Sequence, residues 1–290
     1  MRSKLSYAQL RAFNAVAKEG SFSSAARRLG LSQPAITAQV KALEQSYGVL
    51  LFERRGDGAR MTPLAKSLFQ ETQELHVIEA VAADILGASS ALKTGELNIM
   101  CGAPNPAMAL ISEFRRRYPG VRVTANFGNW HRVTTALYEQ QCDAIILTGV
   151  PDDDSLTRIP YMEQRAVALV PAGHPLAKRG KPLSLHELAD QPLIFRNDQS
   201  LTQSALNMAI RKSGVNLEPA LSLGEREAVY EAVHQGLGIG FMFELAVSRA
   251  ESNVVRLPIM ELNDVYVEHV ACLTRNMRRH EVRALMALVE

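Results

Sequence analysis

The sequence predicts an α+β multidomain chain: a small helical front carrying a β-hairpin, one long connecting helix, and a larger α/β body. Three observations predict it. Between residues 10 and 43, apolar residues recur at spacings of three and four, broken at Gly20 and Gly30. Thr62-Pro63 then opens a second, longer helical pattern. From Glu96 onward, short apolar runs alternate with helical ones, the signature of strands and helices in turn. At 290 residues the chain has room for two domains, or three if one is small.

Composition excludes several classes. With 47 % hydrophobic and 21 % charged residues, the chain reads as an ordinary globular protein. No apolar run reaches the roughly 18 residues of a membrane span. The start, Met1 to Gln9, has charge but no following apolar segment, so it is not a signal peptide. The three cysteines, Cys101, Cys142 and Cys272, are widely spaced and odd in number, which fits a reducing cytoplasm better than a disulfide framework. A cytoplasmic protein without membrane partner or cofactor is therefore expected, and the seven histidines show no metal-ligand spacing.

The net charge of +2 conceals an asymmetry. Residues 1–60 hold ten Lys and Arg against four Asp and Glu, and the remainder of the chain is net acidic. A basic end on an acidic body points that end toward a polyanion.

The elements of the front follow in order. Leu10, Phe13, Val16 and Ala17 make one helix face, ended by Gly20. Ser23 or Ser24 is expected to cap a second helix that buries Ala25, Ala26 and Leu29 and stops at Gly30. Ser32 caps a third, with Pro34 in its first turn, running through Ile36, Val40 and Leu43 to Tyr47 and Gly48. Two short helices joined by a turn form a helix-turn-helix, whose second helix offers its N-terminal residues to base edges in the DNA major groove. The side chains suit this. Gln33 can pair bidentately with adenine, Ser32 and Thr37 can donate or accept, and Ala35 can meet a thymine methyl. Pro34 and Gln39 share that helix, Lys41 reaches toward phosphate, and Arg27 and Arg28 can clamp the DNA backbone. A strand over Val49–Phe52 and a glycine-rich turn then make a wing bearing Arg54, Arg55 and Arg60, placed to reach phosphate or minor groove.

The run from Phe13 to Ala65, FNAVAKEGSFSSAARRLGLSQPAITAQVKALEQSYGVLLFERRGDGARMTPLA, closely resembles the winged helix-turn-helix of LysR-type transcriptional regulators. The S-F-S-S-A-A spacing, the L-S-Q-P-A turn, the L-E-x-x-Y-G-V-x-L-F-E-R run and the closing T-P occur in order, and the likeness continues more loosely to the end of the chain. The resemblance implies a sequence-specific regulator of transcription, not an enzyme, partnered by double-stranded promoter DNA and a small-molecule effector. It also implies a homodimer or homotetramer.

Leu64, Leu68, Leu75, Ile78, Ala82 and Ile85 trace a coiled-coil seam along the connecting helix, with Glu71 in one seam position. A long amphipathic helix between domains has little local core, so a partner chain is expected on it. Gly87 to Gly95 reads as the hinge. The expected organisation is thus a DNA-binding domain over 1–62, a linker helix and hinge over 63–91, and an effector domain over 92–290.

In the body, strands are expected at Glu96–Cys101, Val121–Phe127, Asp143–Thr148, Ala166–Val170, Leu193–Phe195, Ala220–Leu223, Ile239–Phe243 and Val265–Leu273. Helices are expected between them, with parallel sheets. The resemblance implies a periplasmic-binding-protein-like α/β domain of two subdomains, about 92–162 with 266–290, and 163–265, joined by crossovers near Pro160–Gln164 and Asn263–Val267. A ligand would lie in the cleft, at strand C-termini and helix N-termini. Residues falling there are Gly102, Ala103 and Asn105 after the first strand, Asn129 after the second and Thr148 at the end of the third. Arg196, Ser200 and Thr202 precede one helix and Glu225 another. They suit a ligand with an anionic end near Arg196, Ser200 and Thr202 and an amine near Glu225. Taken singly, Ser200, Thr202 and Glu225 each fit ordinary helix capping better than ligand contact. Many family members carry Ser or Thr after the first strand; here Gly102-Ala103-Pro104-Asn105 lacks the hydroxyl, and Asn105 is the substitute. GVPDD, REAVYEAVHQGLGIG and HPLAKRG most resemble regulators associated with aminoethylphosphonate use.

Three rivals are weighed against this. An enzyme is disfavoured because GLGIG, Gly236 to Gly240, precedes a strand where a phosphate loop would follow one, and no nucleophile elbow is present. A cytoplasmic solute-binding protein would not need the basic front. A cysteine-based redox sensor of the same family would need reactive thiols, whereas Cys101, Cys142 and Cys272 sit in or beside apolar strands.

Overall fold

The computed structural model describes residues 5–55, 58–72, 75, 78–79, 95–246 and 253–290, without the side chains of Arg54 and Arg55. Contacts divide the described chain into two compact units, one of residues up to 89 with 139–141, the other of 90–138 with 142–290.

The first unit opens with three helices, α1 (Tyr7–Glu19), α2 (Phe22–Leu29) and α3 (Gln33–Tyr47). Each stops at a glycine in the left-handed region: Gly20, Gly30 and Gly48, at φ of 63°, 66° and 64°. Ser32 Oγ accepts from Ala35 N (3.4 Å) and fixes the start of α3. The start of α2 differs from expectation. Ser21, not Ser23 or Ser24, is its cap, accepting from Ser24 N. The reason is Phe22, which belongs inside: its ring packs edge-on against Phe52 at 5.7 Å, so the helix must already have begun there. Phe13, Val16, Ala25, Ile36, Val40 and Leu43 close one buried core.

The hairpin is β1 (Phe52–Arg55) paired antiparallel with β2 (Gly58–Met61). It starts later than the expected Val49–Phe52 strand. Leu51 is held elsewhere: its N–H donates to Glu44 Oε1 (2.8 Å) and its carbonyl accepts from Thr62 N (2.9 Å). Ala59 N donates to Gly20 O (2.8 Å), which seats the wing on the turn between α1 and α2.

Helix α4 (Pro63–Thr72) starts as expected, with Thr62 Oγ1 accepting from Ala65 N. Asn14 and Thr72 exchange hydrogen bonds and tie α4 to α1. Of the expected seam, Leu68 packs on its own unit's core, whereas Leu64 and Ile78 stand 50 % and 57 % exposed. Ala82, Ile85 and the hinge from Gly87 through Thr94 lie outside the described residues.

The second unit contains two five-stranded sheets. In chain order its elements are β3 (Gly95–Cys101), α5 (Pro104–Arg117), β4 (Val121–Phe127), α6 (Trp130–Tyr138), β5 (Ala144–Thr148), β6 (Leu156–Gln164), β7 (Ala166–Pro171) and α7 (Pro175–Arg179). Then come β8 (Leu193–Arg196), α8 (Leu201–Ser213), β9 (Pro219–Leu223), α9 (Arg226–His234), β10 (Ile239–Phe243), β11 (Val254–Pro258), β12 (Tyr266–Leu273) and α10 (His280–Met286). The first sheet runs β4-β3-β5-β12-β6 and the second β11-β7-β10-β8-β9. In each, two parallel pairings adjoin two antiparallel ones, with β12 in the first sheet and β7 in the second running against the other four strands, so the sheets are mixed where parallel ones were expected. The cause is that the chain passes twice between sheets. Strand β6 enters β7 through Arg165 alone, and β12 returns to the first sheet after residues 259–265. A strand that arrives from the other sheet pairs without a helical crossover and can run antiparallel. Strand β11, the first half of β6 and the short α7 were not foreseen.

The glycines of GLGIG have a packing role. A Cβ on Gly238, whose φ is 158°, would lie 2.3 Å from Pro192 O, and one on Gly240 would lie 2.6 Å from a Val229 methyl. These two positions admit the close approach of β10 to its neighbours, not a nucleotide.

Candidate functional site

On the first unit, the core-facing stripe of α3 leaves the opposite face to solvent. Gln33, Thr37 and Lys41 follow at intervals of four, and with Ser32 and Pro34 they form an exposed or half-exposed row. Ala35 and Gln39 flank it, half-buried. Gln33 Oε1 accepts from Ser23 Oγ at 3.3 Å, which links the two helices of the motif. No acidic residue stands in the first turn of α3, so no carboxylate there offsets the positive end of its dipole. Arg27 donates to Ser24 Oγ (3.0 Å), and Arg28 pairs with Glu19 (2.7 Å). Arg28 thus has an intramolecular partner, which the sequence did not show. Arg54 and Arg55 end strand β1, and their side chains lie outside the described residues.

In the second unit, the C-terminal ends of β3, β5 and β8 meet the N-termini of α6, α8 and α9 around a narrow cleft of about 40 Å³. Gly102, Ala103, Asn129, Thr148, Arg196, Ser200 and Thr202 all line it, as expected. Asn105 and Glu225 stand outside the lining. Asn105 Nδ2 instead donates to Leu245 O (3.0 Å), and the residue after Glu225, Arg226, faces the cleft. The expected acidic contact is therefore replaced by a cationic one. An adjoining depression of about 450 Å³ shares Trp130, Ser200 and Leu201 with the cleft. Trp130 Nε1 donates to Gly149 O (3.0 Å), and Asn129 Nδ2 donates to Gln199 Oε1 (3.0 Å) across the two halves.

The cleft is polarised. Arg196 Nη1 donates to Ser200 Oγ (2.9 Å) and Nη2 to Gly224 O (2.9 Å), while its buried Nε meets no acceptor among the described residues. Burial lowers the pKa of both Arg196 and Arg226, and Arg226 lowers that of Arg196 further by like charge. Two guanidiniums brought together out of water favour a shared anion. Behind Thr148 lies Glu268 of β12, fully buried and bonded to Thr148 and Gln164. Burial raises its carboxyl above the usual range, against the hydrogen bond from Thr148 and the charge of Arg226.

Gln164, Arg226 and Glu268 were missed in the sequence. The signal existed for Glu268, a lone carboxylate inside the strand sequence Tyr266-Val267-Glu268-His269-Val270. For Arg226 the helix-start logic was right but one residue early.

Residues 7–66 match the bacterial regulatory helix-turn-helix protein, lysR family, and residues 90–290 match the LysR substrate binding domain. The chain belongs to the LysR family of bacterial transcriptional regulators. Its relatives include the HTH-type transcriptional activator CmpR of Synechocystis sp., 29 % identical over 240 residues, with 81 % of this chain and 77 % of that one covered. The RuBisCO operon transcriptional regulator of Allochromatium vinosum is 30 % identical over 241 residues, covering 81 % and 78 %. The fold is shared with a full-length OxyR variant from Pseudomonas aeruginosa (TM-score 0.80, 20 % identity, 99 % and 95 % covered). It is shared too with CbnR in complex with its target DNA (TM-score 0.65, 18 % identity, 98 % and 99 % covered). As a LysR-family member the chain is a DNA-binding transcriptional regulator, and its α/β body is an effector-binding domain. Among the described residues no helix is long and apolar enough to cross a membrane.

Proposed function

We propose that this LysR-family regulator reads a promoter through the exposed row of α3 and adjusts that reading when a small anion occupies the cleft of its α/β body. Ser32, Gln33, Thr37 and the residues beside them contact bases, and Lys41, Arg27, Arg54 and Arg55 contact phosphate. The protein works by binding, not turnover, in the cytoplasm. In this reading residues 1–62 bind DNA, 63–91 join two chains through the linker helix, and 92–290 hold the effector. The exposed Leu64 and Ile78 support a homodimer or homotetramer, since two recognition helices match two half-sites about one helical turn apart.

The observation that carries the effector class is the meeting of Arg196, at the end of β8, and Arg226, at the start of α9, in one cleft that the N-termini of α8 and α9 also face, where helix dipoles add to their charge. Aminoethylphosphonate, suggested by subgroup resemblance, has a suitable anionic end, but the relatives named for the RuBisCO operon give that subgroup no support. The redox alternative is disfavoured by the thiols themselves: Cys101 and Cys272 are buried, and burial pushes both up to about 12.

The test is the melting temperature of the full chain against small carboxylates, phosphates and phosphonates. A ligand of the folded state must raise it by mass action. The reading expects a rise with anions that is lost in Arg226→Gln. A rise with neutral compounds only, or one indifferent to Arg226→Gln, would overturn it.

A further inference from the structure

Glu268 remains to be explained. A fully buried carboxylate beneath an anion site is costly unless it has a task. Its Oε2 accepts hydrogen bonds from Thr148 Oγ1 of β5 and from Gln164 Nε2 of β6 (3.1 Å), and the same Gln164 Nε2 donates to Thr148 Oγ1 (2.8 Å). Its Oε1 is buried and accepts no hydrogen bond among the described residues. The charged and titratable groups around it come from four elements. Arg226 of α9 is the cation; Tyr161 of β6 and Cys101 of β3 feel the carboxylate; His269, next on β12, is bonded to Val267 O. Burial already biases the carboxyl toward its protonated form.

The hydroxyl of Thr148 has one proton and two lone pairs. With Glu268 ionised, that proton points back to Oε2 and one lone pair receives Gln164. The cleft wall then offers only a lone pair, with a negative charge behind it. With Glu268 protonated, the bond reverses. Oε2–H donates to Thr148, Thr148 accepts from both Glu268 and Gln164, and its own proton turns toward the cleft. The wall now offers a donor beside Arg196 and Arg226, and Glu268 no longer competes for Arg226, which leaves Glu227 and Glu225 as the carboxylates near it.

We propose that Glu268 is a positioning residue that couples capture of an anion in this cleft to uptake of one proton from solvent, by reversing the Thr148 hydroxyl from acceptor to donor. The coupling rests on the anion-site reading above. It favours ligands that present bare acceptor oxygens, carboxylate or oxyanion, to Thr148.

Sulfate and fumarate are suitable probes, because neither titrates between about pH 6 and pH 8.5. Their affinities for the full chain, read from melting temperature against concentration, should fall as pH rises, by at most about tenfold per pH unit. Glu268→Gln keeps a donor to Thr148 without the charge. It should bind at about pH 8 at least as tightly as the wild type does at about pH 6, with a flat pH profile. Should that variant fold poorly, calorimetry of the wild type in two buffers of different ionisation heat reads the proton directly, and uptake approaching one per anion is expected. Anion binding that is flat with pH, without proton uptake, or weaker in a folded Glu268→Gln, would overturn the coupling while leaving the anion site intact. Absence of binding by either anion to wild type and variant alike would overturn both.

Discussion

Arg196 reaches Ser200 across 2.9 Å, so one hydroxyl serves two masters: it anchors the guanidinium of β8, and it caps α8 by accepting from Gln203 N (3.4 Å). Capping, one of the two readings of Ser200 in the sequence, is thus present, and the same hydroxyl also holds Arg196. Ser200→Ala should lower unfolding free energy by about 0.5–2 kcal/mol through the lost cap. It should also weaken binding of an anion such as fumarate severalfold, because Nη1 loses its anchor. Calorimetry and titration separate the two. Lost stability with unchanged affinity would leave Ser200 a cap alone.

Gln33 and Lys41 lie on one face of α3 yet should fail differently. On the proposed reading Gln33→Ala removes a base contact, and it should narrow the gap between operator and random DNA by about 1–3 kcal/mol. Lys41→Ala should weaken both alike and reduce the salt slope by about 1. Gel-shift titrations at several salt concentrations decide it, and equal losses on both DNAs for Gln33→Ala would remove it from base reading.

The front of the chain was legible because its signals are local. Ser32, Pro34 and the three stop glycines act on neighbours within a turn, and the α3 core stripe repeats at helical spacing. The two errors there had non-local causes: Phe22 is drawn inward by Phe52, and Leu51 is pinned by Glu44 from seven residues away. The cleft shows the same division. Strand ends such as Thr148 and helix starts such as Ser200 could be placed one element at a time. Arg226 was missed by one residue at the start of α9, and Glu268 could not be placed this way, because it comes to lie behind the cleft only when β12 returns from the second sheet and pairs with β5. Strand direction was lost for the same reason.

A second buried pair holds the first sheet to the end of the chain. Arg279 donates to the Asp143 carboxylate and to Glu96 O, and Asp143 Oδ2 accepts from Asn98 N (2.8 Å). Both side chains are below a tenth exposed. Asp143→Ala would leave a buried guanidinium with Glu281, 3.6 Å from its Nε, as the remaining carboxylate. The expected loss is about 3–5 kcal/mol, seen by denaturant or thermal unfolding. Asp152→Ala, which removes a partner of Arg158 that is 89 % exposed, should change almost nothing. Equal effects would mean that burial does not set the strength of these pairs.

Glu268 also makes stability depend on pH in a direction opposite to most carboxylates. Burial raises its folded-state pKa, so the folded chain holds this proton more tightly than the unfolded chain does. The stabilisation is complete below the unfolded value of about 4.3 and is lost as pH rises through the folded one. Glu268→Gln fixes the neutral form. Without ligand, its melting temperature should exceed that of the wild type, by little near pH 5 and by more near about pH 8. Unfolding scans across that range provide the check. A variant less stable than wild type at about pH 8 would mean that the negative charge is needed by Arg226, and that desolvation is not the dominant effect on this carboxyl.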